Sequence, residues 1–89
     1  MKGPVAVYID ASSSVFRRYE SGVITSEDCG LTLNHSVLAV GYDTTANGTP
    51  YFLVKNSWGA SWGDQGYVKI AATADNICGI LSVPVSAQA

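Results

Sequence analysis

The chain has 89 residues, a formal net charge of −2, 47% hydrophobic residues and only 13% charged ones. That length holds one domain and buries only about 60–65% of the unfolded surface, so its core calls for a staple. Arg17-Arg18 is the only adjacent basic pair, so a nucleic-acid surface has no electrostatic footing, and no apolar run approaches the ~20 residues of a membrane span.

The charged share is about half the roughly 25% of ordinary domains. One face of the domain is therefore expected to be covered by something else. Two cysteines and a single histidine make too small a set for zinc, so no metal is expected, and no cofactor either.

Gly3-Pro4 opens an alternating run, Val5–Asp10, whose β-branched residues predict a strand. Ala11–Glu20 begins with serines suited to an N-cap and spaces Val15, Phe16 and Tyr19 for one or two helical turns, ended by Ser21-Gly22. Val23–Leu33 has little periodicity and reads as a loop. Asn34–Asp43 reads as a strand with an apolar centre. Thr44–Pro50 carries Asn47-Gly48, a strong hairpin signal, before a second strand, Tyr51–Ser57. The two strands of a hairpin run antiparallel, so His35 near the start of one lies beside Asn56 near the end of the other. Adjacency in space is thus expected from separation in sequence.

Lys55–Gly66 holds two tryptophans and three glycines in twelve residues. Glycines permit positive φ or close backbone approach, and tryptophans exclude water while offering one N–H each. A third strand, Gly66–Ala71, a turn, Ala72–Asn76, and a short strand, Ile80–Val85, complete the domain. The expected fold is mainly β: an antiparallel, barrel-like sheet with one short helix. Asn47-Gly48-Thr49 and Asn34-His35-Ser36 both match the glycosylation sequon. The first sits on an exposed hairpin tip; the second overlaps the candidate histidine.

Asn34-His35-Ser36-Val37-Leu38-Ala39-Val40-Gly41-Tyr42, then Lys55-Asn56-Ser57-Trp58-Gly59 and Trp62-Gly63-Asp64-Gln65-Gly66-Tyr67, resemble the C-terminal half of a papain-like cysteine protease, nearest the cathepsin L group. The resemblance runs from Gly3-Pro4-Val5 to about Val85. It implies the β-rich right-hand domain of a two-domain α+β enzyme. It also implies that the N-terminal domain, which holds the nucleophilic Cys in a Cys-Gly-Ser-Cys-Trp setting, is absent from residues 1–89. Met1 then reads as a start codon placed on an excised fragment.

By this resemblance His35 is the general base and acid. Asn56 orients its ring, Trp58 shields the pair, and Trp62 forms an apolar wall on the leaving-group side. Tyr8, Leu33, Ser36 and Val83 match the pocket for the substrate side chain second from the scissile bond, and their apolar character implies an apolar preference. Cys29 and Cys78 match a disulfide of cathepsin-like relatives, which implies an oxidising compartment and a lysosomal, vacuolar or extracellular parent enzyme. The implied partners are a peptide or protein substrate and the missing N-terminal domain. The chain alone would be inactive for lack of the nucleophile. The alternative is a non-catalytic β-domain or binding module, self-associating through its uncovered face into a homo-oligomer.

Overall fold

The computed structural model describes residues 4–73, 76–80 and 84–85. Strands β1 (Val5–Ile9), β2 (Val23–Ile24), β3 (His35–Thr44), β4 (Pro50–Lys55), β5 (Tyr67–Ala71) and β6 (Pro84–Val85) form one sheet. Their order is β2-β5-β4-β3-β1-β6. One helical turn, α1 (Ser14–Arg17), follows β1. The mainly-β sheet with a short helix is the fold expected from the sequence.

Four details differ from that expectation. The β2–β5 pair is parallel, so the sheet is mixed. Among the described residues β2 and β6 are its free edges, so the sheet is open and not the closed, barrel-like one expected. Strand β2 lies inside the segment read as a loop. Two residues are too few to display alternation, and β2 exists because Val23 and Ile24 meet Lys69 and Ile70 of β5. The segment also holds a 3-10 turn at Glu27–Cys29. Of the expected strand Ile80–Val85, residues 81–83 lie outside the described ones; Pro84–Val85 is strand, and Ile80 instead closes a 3-10 turn over Ile77–Gly79.

Alternation along the strands builds the core. Val7 and Ile9, Val37 and Ala39, Val54, and Val68 and Ile70 all turn to the buried side. Phe16 of α1, Ile77 and Ile80 fill the space against them. A single helical turn has no stability of its own. Here it is held by its fully buried Phe16 and by the Ser13 Oγ, which accepts from the Phe16 N–H at 3.4 Å. Cys29 and Cys78 are joined in a buried disulfide that ties the two 3-10 turns together.

The β3–β4 hairpin fixes the site. Its loop closes with the Gly48 N–H donating to Thr45 O at 2.9 Å, and Gly48 takes a φ of +90° that suits glycine alone. Near the turn Tyr42 faces Phe52 and Thr44 faces Pro50; nearer the site Ala39 faces Val54 and Leu38 faces Lys55. The register slips by one between Ala39 and Gly41, which leaves Val40 as a bulge residue. Directly opposed residues share a face of the sheet. A uniform ladder from the turn would set Leu38 opposite Asn56 and put His35 on the other face. The extra residue reverses the parity of β3, so His35, Val37 and Ala39 share the face of Val54 and Asn56.

Candidate active site

His35 is the first residue of β3 and is half-buried; Asn56 follows the last residue of β4 and is buried. Asn56 is held in place by its own N–H, which donates to Gly66 O at 3.0 Å. Its Oδ1 lies 2.7 Å from His35 Nε2 and accepts the Ser57 N–H at 2.7 Å. A backbone N–H can only donate, so the atom facing Ser57 is the amide oxygen. His35 Nε2 faces the same oxygen and must therefore carry its hydrogen. That leaves Nδ1 as the nitrogen able to accept a proton. Aiming Oδ1 at both donors leaves the buried Nδ2 with no partner among the described residues. Such an orphan costs about 1–3 kcal/mol, a local violation of the kind that functional sites carry.

Trp58 stacks on the imidazole, with centroids 5.1 Å apart and planes at 29°. Behind it, the Phe16 ring meets Trp58 edge-on at 5.4 Å and Trp62 at 4.8 Å. Trp62 also touches Tyr19 at 5.9 Å, and its Nε1–H donates to Arg17 O at 3.1 Å. Trp62 is thus half-buried and fixed at both ends, while Trp58 keeps an exposed face. Helix α1 acts as a buttress for both tryptophans. The glycine-rich loop that carries them folds back on itself, with the Gly66 N–H bonded to Trp62 O and the Trp62 N–H to Gly59 O.

Of the four expected pocket residues, Tyr8 and Ser36 are brought together as opposed partners of β1 and β3. Both are exposed. Leu33 is half-buried and leans on Gly79: a side-chain carbon added to Gly79 would lie 2.8 Å from the Leu33 methyl. Val83 lies outside the described residues.

Asp10 escapes the sequence reading, which counts it merely as the end of the first strand. It is 3% exposed, yet it is an acid in a chain poor in charge. Its carboxylate accepts from the Ser12 N–H at 2.9 Å, from the Ser12 hydroxyl, from the Thr32 N–H at 2.8 Å and from Asn34 Nδ2 at 3.4 Å. Burial alone would raise its pKa; these donors outweigh burial and hold it below the ordinary value of 3.8. The signal available in the sequence was an acid closing an apolar strand just before a run of serines. Asn34 is engaged in the same network, because its Oδ1 accepts the Ala11 N–H at 3.0 Å while its Nδ2 donates to Asp10.

The model of the papain family cysteine protease matches residues 1–88. The chain belongs to the papain family of cysteine proteases. It is 54% identical over 79 residues to a cathepsin L-like peptidase of Aedes aegypti, covering 88% of this chain and 23% of that protein. It is 54% identical over 83 residues to digestive cysteine proteinase 3 of Homarus americanus, covering 92% of this chain and 26% of that protein. The bromelain protease of Ananas comosus, solved with the E64 inhibitor, superposes with a TM-score of 0.78 at 46% identity, covering 86% of this chain and 36% of the other. This papain-family chain thus spans about a quarter of the length of these curated relatives. Both of its cysteines are in the disulfide, so its 89 residues hold no free thiol.

Proposed function

We propose that this chain is the base-bearing domain of a papain-type endopeptidase, with His35 as general base and acid and Asn56 as its orienting partner. The observation that carries the reading is the His35 Nε2 contact with Asn56 Oδ1 at 2.7 Å beneath Trp58, in a chain whose cysteines are both in a disulfide. The attacking thiol then comes from outside these residues, from a domain that also supplies the family's oxyanion-hole Gln. Alone, the chain hydrolyses no peptide.

The chemistry follows from the tautomer. Nδ1 takes the proton of the incoming cysteine thiol, and the thiolate attacks the substrate carbonyl carbon. The imidazolium returns that proton to the leaving amine as the C–N bond breaks, giving a thioester. Nδ1 then takes a proton from water, whose oxygen attacks the thioester. The acid product leaves, and the proton goes back to sulfur. Throughout, Nε2–H stays on Asn56. A neutral amide suits this role because it orients the ring without competing with the thiolate for the imidazolium. Trp58 excludes water from that bond and strengthens it. Tyr8, Leu33, Ser36 and Val83 would favour apolar side chains at the second position before the scissile bond.

The disulfide and the family together support an oxidising location, lysosomal, vacuolar or extracellular, for the whole protease. Exposed Tyr8, Leu31 and Trp58 beside a low charge content favour a second reading, a self-associating non-catalytic domain. Mixing decides between them. Combined with a separately made N-terminal domain carrying the cysteine, the chain should restore cleavage of a fluorogenic peptide with an apolar residue at that second position. Restored cleavage that survives His35→Ala, or a stable homo-oligomer that never complements, would overturn the first reading.

A further inference from the structure

His35 opens β3, where its backbone pairs with Ile9 of β1. The loop that leads into it is gathered in a knot around Asp10. The Asn34 N–H donates to Ile9 O at 3.1 Å, and the Thr32 N–H donates to the Asp10 carboxylate at 2.8 Å. The Asp10 N–H donates to Cys78 O at 2.8 Å, which ties the knot to the disulfide turn. Gly30 closes it: a side-chain carbon there would collide with Asp10 Oδ2, and the residue has a φ of +92°. The other arm of the carboxylate binds the N–H and hydroxyl of Ser12. Ser12 precedes the Ser13 cap of α1, whose Phe16 backs Trp58, and Trp58 covers the His35 ring.

One side chain therefore grips both segments that hold the imidazole. On one side it holds Thr32 and Asn34, which deliver His35. On the other it holds Ser12, which starts the buttress of Trp58. All of these donors are neutral N–H and O–H groups. Hydrogen bonds to a charged acceptor are roughly twice as strong as neutral ones, so the carboxylate holds these segments more firmly than an amide could.

We propose that Asp10 is a positioning residue for the candidate base: its buried carboxylate couples the Thr32–Asn34 segment to the Ser12–α1 segment and so holds the His35 ring between Asn56 and Trp58. Its functional meaning rests on His35 being the base, but the geometry can be read without any catalysis.

The test is NMR on the full chain with nitrogen-15-labelled histidine, comparing wild type with Asp10→Asn, Ser12→Ala and, as a control, Asp43→Asn on the exposed hairpin. In the wild type His35 is expected in the Nε2–H tautomer, with that proton protected from exchange. Asp10→Asn, with disulfide and far-ultraviolet circular dichroism intact, should exchange the proton at least tenfold faster and mix the tautomers. Ser12→Ala, which removes one hydroxyl from an exposed side chain, should move both readouts in the same direction by less, and Asp43→Asn should move neither. A folded Asp10→Asn chain with a wild-type tautomer and exchange rate overturns the proposal. If Asp10→Asn does not fold, Ser12→Ala decides alone, and an unmoved His35 spectrum overturns the proposal. Failure of the mixing assay with these shifts present would remove the proteolytic reading and leave Asp10's positioning role intact.

Discussion

His35 Nε2 lies 2.7 Å from Asn56 Oδ1 although the two residues are 21 positions apart. The contact is not a free choice of rotamers. Ser57 N–H pins the amide oxygen, the amide oxygen pins Nε2–H, and Trp58 stacks on the ring so held. Each constraint removes one freedom of the imidazole, leaving Nδ1 as its one acceptor.

Replacing Asn56 with Ala should separate activity from stability. A positioned base contributes about 10²–10⁴-fold, and loss of its orientation should forfeit roughly 10- to 100-fold in kcat/KM of the complemented enzyme. Stability should change little. The substitution strands the Ser57 N–H and the His35 Nε2–H, both near solvent, but also removes the buried orphan Nδ2, and these effects of about 1–3 kcal/mol or less each oppose one another. Urea unfolding of the chain checks the second half of the claim. A large fall in midpoint alongside unchanged kcat/KM would contradict both.

The aromatic buttress predicts a ranking. Phe16 is fully buried, whereas Trp58 is 40% exposed. Phe16→Ala should cost about 3–5 kcal/mol and disturb Trp58 and Trp62 together. Trp58→Ala should cost clearly less in stability while opening the His35–Asn56 bond to water. Tryptophan fluorescence and chemical denaturation of the two variants give the order, and the reverse order would show that α1 does not support the site.

The disulfide carries a large share of the stability. Cys29 and Cys78 are 49 positions apart, a span for which the chain-entropy model expects about 4 kcal/mol. The double Ser variant should unfold at much lower urea, losing roughly 2–4 kcal/mol. A midpoint within error of wild type would mean that packing around Ile77 and Ile80 suffices.

Asp10 should make stability depend on acid. Its pKa in the folded chain is depressed, because hydrogen bonds from Ser12, Thr32 and Asn34 outweigh burial, and its unfolded value is near 3.8. The folded state therefore binds this proton less readily than the unfolded one. The contribution is fully present above the unfolded value and is lost as pH falls through the folded one. The Tm difference between wild type and Asp10→Asn should be steady at neutral pH and narrow as pH drops below 3.8. A gap that does not change into strong acid would place the effect in packing and not in charge.

Much of this was legible in the chain. The alternation of Val5–Ile9, the apolar centre of β3, the Asn47-Gly48 turn and the run Tyr67–Ala71 are local signals, and each became the expected element. The serines ahead of Val15 and Phe16 marked α1 for the same reason. The antiparallel hairpin brought together the strand ends that carry His35 and Asn56. The motifs around them carried the family, and with it the pairing of Cys29 with Cys78.

The rest depended on partners far away in sequence. Strand β2 is two residues long and exists only because β5 lies beside it. Asp10 is a keystone only because Thr32 and Asn34 return to it. The face of the sheet on which His35 sits was not encoded by spacing either: counted from the turn, His35 and Asn56 have opposite parity, and the bulge at Val40 corrects it. Local sequence determines which residues can form strands, because period and propensity act over a few positions. Which side of a sheet a residue occupies, and which donors surround a buried carboxylate, are sums over long-range contacts, and only the folded chain performs that sum.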